Sequence, residues 1–121
     1  MEERCFAFEK LDVYRFARLL VKSIYELQNK FPKEEKYALG DQIRRSAISI
    51  TSNIAEGSGR NSPKEKIHFI EIAFGSMTES FSQLQIAQDL GYIKKEEIDM
   101  LRPAFNKVAA YLSALRSSYE K

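Results

Sequence analysis

The sequence predicts an all-α fold, a single-domain antiparallel four-helix bundle with up-down-up-down topology over residues 1–121. Only 3 prolines and 5 glycines interrupt the 121 residues, which is too few for the frequent turns of an all-β protein. Apolar residues recur at alternating steps of three and four along four segments, the spacing of one helical face. Short loops separate these segments, so the apolar faces indicate a bundle core rather than a two-stranded coiled coil. The predicted helices cover residues 9–30, 35–57, 62–90 and 94–118.

Proline and glycine delimit the first two helices. The first stops before Pro32, because a residue that precedes proline is pushed out of the α region. The second ends at Gly57 and Gly59, since glycine readily takes the left-handed conformation that is common just past a helix. The predicted core positions are Val13, Ala17, Leu20, Ile24 and Leu27 in the first helix, and Leu39, Ile43, Ala47, Ile50 and Ile54 in the second.

The third helix has the clearest predicted start. Ser62 can cap it, Pro63 suits its first turn, and Glu65 can complete a reciprocal capping box. Pro103 lies inside the fourth helix and removes one helix hydrogen bond, so we expect a kink or a late helix start there. The predicted core positions are Ile67, Ile70, Phe74, Met77, Phe81 and Leu84 in the third helix, and Ile98, Leu101, Phe105, Val108, Leu112 and Leu115 in the fourth.

The composition, with 44% apolar and 30% charged residues, is typical of a soluble globular protein. The formal charge of +2 is mildly basic, which permits a nucleic-acid partner without requiring one. Cys5 is the only cysteine, which excludes an intramolecular disulfide and a cysteine-built metal site. The N-terminus lacks the pattern of a secretory signal, and the longest apolar runs are far shorter than a membrane helix needs. We therefore expect a cytoplasmic protein that does not associate with membranes.

Two predicted helices carry more apolar surface than one core requires. A monomer would expose these extra side chains, so they predict self-association. The alternative is that the tyrosines lie at the rim of the bundle with their hydroxyls in water. Small residues of the second helix would admit a helix of another subunit or of the same bundle equally well. The candidate oligomer-interface residues are Tyr14, Val21 and Tyr25 on the first helix, and Phe69 and Ile72 on the third.

The sequence does not predict an enzyme. Glu65 and His68 match the Glu-x-x-His motif of di-iron bundles, but such a site needs a second copy and two further glutamates. Both residues lie away from the predicted core face, which favours a solvated surface pair. The glycine-containing segment 57–60 follows a helix and lacks the lysine of a phosphate-binding loop. No catalytic residue, cofactor or metal is expected.

Basic residues are the one positive indication of a ligand. A stripe of cations lies opposite the core face of the first helix, and further arginines lie on the second helix and in the loop after it. Phosphate binding needs cations presented together, whereas an ordinary solvated face intersperses them with acidic residues. The candidate nucleic-acid-binding residues are Arg44, Arg45 and Arg60, with Arg15, Arg18 and Lys22 as a second cluster.

Asn53 and Glu56 differ from these surface cations in character. Asn53 lies at the edge of the apolar face of the second helix, where a buried amide must find hydrogen-bond partners. Glu56 can pair with an arginine of another helix or subunit. We expect both residues to belong to a structural polar network.

Five blocks of sequence resemble a known family. They are LDVY at residues 11–14, FPKEE at 31–35, QIRRSA at 42–47, SNIAEG at 52–57 and LGYI at 90–93. Together they resemble the four-helix-bundle family of bacterial ribosomal-RNA intervening-sequence proteins, over nearly the whole chain. Asn53, Glu56 and Gly57 match the signature of that family, in which a signature residue marks packing as readily as binding. Pro103 is not a feature of the family.

The resemblance implies properties that periodicity does not show. Members are encoded within large-subunit ribosomal RNA genes or stand alone in bacterial genomes. The family is similar to the accessory variability protein of diversity-generating retroelements, a pentameric barrel of four-helix bundles that binds nucleic acid and reverse transcriptase. By this likeness the chain is expected to be a homopentamer that binds RNA or DNA as a non-enzymatic accessory protein. The alternative is a scaffold that binds an unidentified protein partner and has no nucleic-acid role.

Overall fold

The computed structural model describes residues 5–120, which form four helices. Each helix packs against its two neighbours in a closed ring, α1 on α2, α2 on α3, α3 on α4 and α4 on α1. Short connections reverse the chain between consecutive helices, and the predicted all-α four-helix bundle is confirmed. The helices are α1 (Asp12–Gln28), α2 (Leu39–Ser58), α3 (Pro63–Asp89) and α4 (Lys95–Tyr119), with 3-10 turns at Ala7–Lys10 and Lys33–Glu35.

The first two helices begin later than the sequence predicts. Before α1, the chain forms a separate 3-10 turn that ends at Leu11, whose backbone is extended (φ −80°, ψ 126°). α2 begins at Leu39 and not at residue 35, because Ala38 lies outside the helical region (φ −118°, ψ −107°). Glu35 caps this helix instead, since its carboxylate accepts a hydrogen bond of 3.3 Å from the backbone N–H of Leu39. α1 also ends two residues early, at Gln28.

α3 and α4 begin and end within one residue of the predicted positions. Ser62 Oγ accepts a hydrogen bond of 3.1 Å from the backbone N–H of Glu65, as expected of a helix cap. α4 runs from Lys95 through Pro103, so the late start that was one of the two expected effects of this proline does not occur. Glu97 stabilises the start of α4 at Lys95, because its carboxylate accepts a hydrogen bond of 2.9 Å from the backbone N–H of Lys94.

The buried core follows the predicted apolar faces of α1, α2 and α4. All five predicted positions on α1 are buried, and so are four of the five on α2, where Leu39 is half-buried. On α4, Leu101 and Leu115 are half-buried and the other four predicted positions are buried. The largest fully enclosed apolar side chains are Leu20, Ile24, Ile43, Ile50, Leu84, Ile98, Val108 and Leu112.

α3 departs from its predicted core face. Phe74 is 40% exposed, so its assignment to the core is wrong. α3 packs more extensively against α2 than against α4, and this close contact favours small side chains between the two helices. α3 therefore turns its smaller residues inward and carries Phe74 outward. The buried residues of α3 are Ile70, Ala73, Ser76, Met77, Ser80, Leu84 and Ala87.

Hydrogen-bonded serines line the contact between α2 and α3. Ser46 Oγ lies 2.8 Å from Ser80 Oγ, and Ser76 Oγ donates to Ser49 Oγ over 2.8 Å. Ser80 is fully enclosed, and every buried side-chain polar atom of the described residues has a hydrogen-bond partner. The small residues Ser46 and Ser49 therefore admit a helix of the same bundle, which is one of the two expectations for them.

Candidate nucleic-acid interface

A shallow groove between α1 and α2 brings aromatic, apolar and basic side chains together. Its α1 residues recur at steps of three and four, which places them along one side of the helix. None of its lining residues is acidic, so the charge that it presents is positive. The groove is lined by Tyr14, Arg18, Val21, Lys22 and Tyr25 of α1 and by Ile48 and Thr51 of α2. We refer to this surface as the α1–α2 groove.

Two sets of predicted residues coincide in the α1–α2 groove. Arg18 and Lys22 are candidate nucleic-acid-binding residues, and both are exposed. Tyr14, Val21 and Tyr25 are candidate interface residues, and all three are half-buried against the core. These three extra apolar side chains of α1 therefore line the groove and do not form a free outer face. Because one groove holds one ligand at a time, a second subunit and a nucleic acid would compete for it.

Arg18 and Lys22 make no ion pair with the acidic residues of the described chain. Within residues 5–120, no acidic side chain lies within ion-pair distance of either cation. The guanidinium carbon of Arg18 lies 5.9 Å from the centroid of the Tyr14 ring, near the outer limit of a cation–π contact. A phosphate that enters the groove would therefore meet two cations without displacing an ion pair.

Three of the other basic candidates are already paired with carboxylates three or four residues away in the chain. Such pairs on a helix surface contribute little to stability, but they offset part of the positive charge. The local positive potential is therefore weaker at these arginines than in the α1–α2 groove. The pairs are Arg15 with Asp12 (3.4 Å), Arg45 with Asp41 (3.1 Å) and Arg60 with Glu56 (2.7 Å).

Arg44 has a structural role at the start of α2. Its guanidinium donates a hydrogen bond of 2.6 Å to the backbone carbonyl of Lys36, and it lies 3.8 Å from the Asp41 carboxylate. Only 22% of its side chain is exposed. Arg44 therefore holds the turn before α2 against the helix, which leaves little of it for a ligand.

The signature residues at the C-terminal end of α2 serve local packing. Asn53 donates hydrogen bonds to the backbone carbonyl and the hydroxyl of Ser49, over 2.8 and 2.9 Å. Glu56 pairs within the chain with Arg60, which lies just after α2, over 2.7 Å. Gly57 is buried against Phe69 of α3.

The two predicted interface residues of α3 differ in their exposure. Phe69 is half-buried, and the guanidinium carbon of Arg60 lies 4.7 Å from the centroid of its ring. Ile72 is 37% exposed, and on the same helix Ile86 is 48% exposed. The surface that α3 offers to another molecule is thus formed by the isoleucines more than by Phe69.

Glu65 and His68 lie at the start of α3, and both are exposed, as expected of a solvated surface pair. In the part of the chain that the structure describes, no group of three or more His, Cys, Asp or Glu side chains is placed to hold a metal ion. Among the described helices, none combines the length and the apolar character needed to cross a membrane.

A second groove, between α3 and α4, is not predicted by the sequence. Phe74 separates two cavities of about 340 and 240 Å³ in this groove. Leu112 lines the first cavity and Met77 the second. The signal that could have revealed it is the run of small residues on α3, because a helix that buries Ser76 and Ser80 must turn its larger side chains elsewhere.

Most of the chain also matches a known protein family. The model of the 23S rRNA-intervening sequence protein family matches residues 9–114. The chain belongs to this family. The match includes every residue that lines the α1–α2 groove, so the groove lies within the family's shared region. A comparison with curated proteins finds no match.

Proposed function

We propose that this member of the 23S rRNA-intervening sequence protein family is a non-enzymatic, homo-oligomeric accessory protein that binds RNA or DNA through the α1–α2 groove. The observation that carries the proposal is one groove, lined by no acidic residue, that holds two tyrosines and two cations without an ion-pair partner among residues 5–120. Exposed cations bind phosphates, and aromatic side chains stack on bases. The family description refers to a sequence within 23S rRNA, which supports an association with nucleic acid.

Self-association is the second part of the proposal. If nucleic acid occupies the α1–α2 groove, subunits must meet through other apolar surface. The exposed Ile72 and Ile86 of α3 supply such a surface, with Phe69 at its edge. A ring of subunits would repeat the groove around its axis, so that individually weak phosphate contacts add up through multivalency. The family resemblance implies five subunits.

The test removes the two groove cations and measures binding of a labelled oligonucleotide by fluorescence anisotropy. The Arg18→Ala/Lys22→Ala variant should bind more weakly, and its plot of log affinity against log salt should be shallower by about 1.4 for a single strand. A matched control is Lys95→Ala/Arg102→Ala, which also removes one lysine and one arginine. Both control residues lie on α4 and are paired with Asp99, at 2.9 and 3.0 Å.

Two results would overturn the assignment of the groove. One is wild-type affinity in the Arg18→Ala/Lys22→Ala variant, because phosphate contacts to these cations would then be absent. The other is an equal loss in both double variants, which would show a response to net charge alone and not to a site.

A protein scaffold is the second candidate function, favoured by the apolar groove between α3 and α4. Phe74 is 40% exposed there and is flanked by two cavities. Recovery of one stoichiometric protein partner after nuclease treatment, lost in Phe74→Ser but retained in Arg18→Ala/Lys22→Ala, would support the scaffold. Nucleic-acid binding that Phe74→Ser leaves unchanged would support the first proposal.

A further inference from the structure

We infer that the α1–α2 groove binds a single strand of nucleic acid, with unpaired bases stacked on Tyr14 and Tyr25 and phosphates bound by Arg18 and Lys22. This inference rests on the proposed function and narrows its ligand from nucleic acid in general to unpaired segments of RNA or DNA. Three observations support it: the spacing of the four side chains, the half-burial of the two tyrosine rings, and the apolar residues of the groove.

The four side chains alternate along α1 in a way that suits one extended strand. Tyr14 and Tyr25 are eleven positions apart, which is about 16 Å along a helix that rises about 1.5 Å per residue. Arg18 and Lys22 lie between them on the same side of the helix. Proteins that bind single strands combine such cations along the backbone with aromatic side chains on which successive bases stack.

The tyrosines of the α1–α2 groove are not accessible to the bases of a duplex. A duplex keeps its bases paired inside, and the half-buried rings of Tyr14 and Tyr25 could not contact their faces. A duplex would therefore contact only the cations.

The apolar residues of the groove match bases better than phosphates. Val21 and Ile48 lie among its lining residues, and neither can donate a hydrogen bond to a phosphate oxygen. Tyr14 is held in place by the ring of Phe8, which meets it edge-on at a centroid distance of 4.7 Å. A ring that is already fixed loses little conformational freedom when a base stacks on it. The Tyr14 ring is thus held in the groove before a ligand binds.

The experiment compares labelled single strands of oligo-uridine and oligo-thymidine with a mixed-sequence duplex of equal length, about 20 nucleotides, which exceeds one binding site. The proteins are the wild type, Tyr14→Leu/Tyr25→Leu, Tyr14→Phe/Tyr25→Phe and Arg18→Ala/Lys22→Ala, each checked for helix content and melting temperature. The phenylalanine variant keeps the stacking ring and the leucine variant keeps only apolar volume. Oligo-uridine and oligo-thymidine show whether the strand is RNA, DNA or either.

The wild type should bind at least one of the single strands about tenfold more tightly than the duplex. Tyr14→Leu/Tyr25→Leu should lose about tenfold or more of single-strand affinity, while its duplex affinity stays unchanged and the phenylalanine variant binds like the wild type.

If the duplex binds as tightly as both single strands and Arg18→Ala/Lys22→Ala weakens both, the inference is wrong and the proposed function stands. If the leucine variant folds and keeps its single-strand affinity, the stacking role is wrong. If the wild type binds neither ligand, the proposed function fails together with the inference.

Discussion

Gly57 of α2 and Phe69 of α3 are so close that a side chain at residue 57 would collide with the phenylalanine. A Cβ atom added to Gly57 would lie 2.7 Å from the Cβ of Phe69. Phe69 Cβ is fixed to the α3 backbone, so it cannot move aside as the end of a flexible side chain could. Arg60 in turn lies over the outer face of Phe69. The glycine of the family signature block is thus explained by the close approach of two helices.

Gly57→Ala should destabilise the bundle because it overpacks this contact. Overpacking typically costs about 1–3 kcal/mol, of which the higher helix propensity of alanine offsets up to about 1 kcal/mol. Urea denaturation followed by circular dichroism gives the difference. The matched control is Gly75→Ala on α3, where an added Cβ meets no atom within 4 Å of the described structure. That variant should gain about 0.5–1 kcal/mol. A gain at both positions would contradict the close contact at Gly57.

Ser80 should tolerate loss of its hydroxyl better than an increase in size. Ser80→Ala removes the hydrogen bonds of this hydroxyl with Ser46 and with the Ser76 carbonyl. It should cost only about 1–2 kcal/mol, since Ser46 keeps an acceptor in the Ile43 carbonyl at 3.1 Å. Ser80→Val adds volume at a fully enclosed position between α2 and α3 and should cost about 1–3 kcal/mol. Ser82→Val, on the exposed side of α3, is the control and should change stability by less than about 0.5 kcal/mol. An equal effect of valine at residues 80 and 82 would contradict the tight packing.

Most of the fold follows from helical periodicity, because the apolar face of each helix is buried in the core of the bundle. The predicted faces of α1, α2 and α4 are buried almost entirely as expected. The predicted face of α3 is wrong at Phe74, because the spacing of large apolar residues does not show where small residues face the core. Which residues face a neighbour also depends on how closely that neighbour approaches, and Ser76 and Ser80 permit a contact that Phe74 would prevent.

The site was less predictable than the fold. A helical wheel places Arg18 and Lys22 on one stripe, but it cannot show that they share a groove with Ile48 of α2. A helical wheel also does not show which side chains form hydrogen bonds or ion pairs with one another. Arg44 and Arg18 are both basic in the sequence, yet the first is bound to a backbone carbonyl and the second faces a groove without acidic residues. Such differences arise from tertiary contacts.

Glu97 should make the stability of the bundle depend on pH in the acid range. A hydrogen bond from the Lys30 side chain and one from the backbone N–H of Lys94 lower the pKa of the Glu97 carboxyl below its usual range. A carboxyl with a lowered pKa in the folded state stabilises it above the unfolded pKa, and this contribution is lost as the pH falls through the folded pKa. The difference in urea midpoint between the wild type and Glu97→Gln should therefore be largest near neutral pH. It should disappear below about pH 4, where Glu97 is protonated.

Lys30→Met provides the matched control for Glu97, because it removes the donor and leaves the carboxyl. Its difference from the wild type should also shrink as the pH falls. A difference between wild type and Glu97→Gln that is the same at neutral and at acid pH would contradict the role of the carboxylate.

Ile72→Glu should lower the solution mass toward that of one chain, 14.0 kDa, if the isoleucine surface of α3 joins the subunits. A carboxylate there would be desolvated on association, which is unfavourable. Met100→Glu is the control, since this methionine is 80% exposed on α4 and is not part of the proposed interface. An unchanged mass in Ile72→Glu together with a reduced mass in Val21→Glu would place the subunit contact in the α1–α2 groove instead.

The measurement that tests the central claim most directly is the solution mass of the wild type by light scattering, alone and with a single-stranded oligonucleotide, at about 50 and 200 mM salt. The proposed oligomer, of five subunits by resemblance, predicts a mass near five times 14.0 kDa without the oligonucleotide. Adding the oligonucleotide should increase this mass at the lower salt concentration and much less at the higher one. A mass of one chain, or a mass that the oligonucleotide leaves unchanged at both salt concentrations, would contradict the proposal of an oligomer that binds nucleic acid.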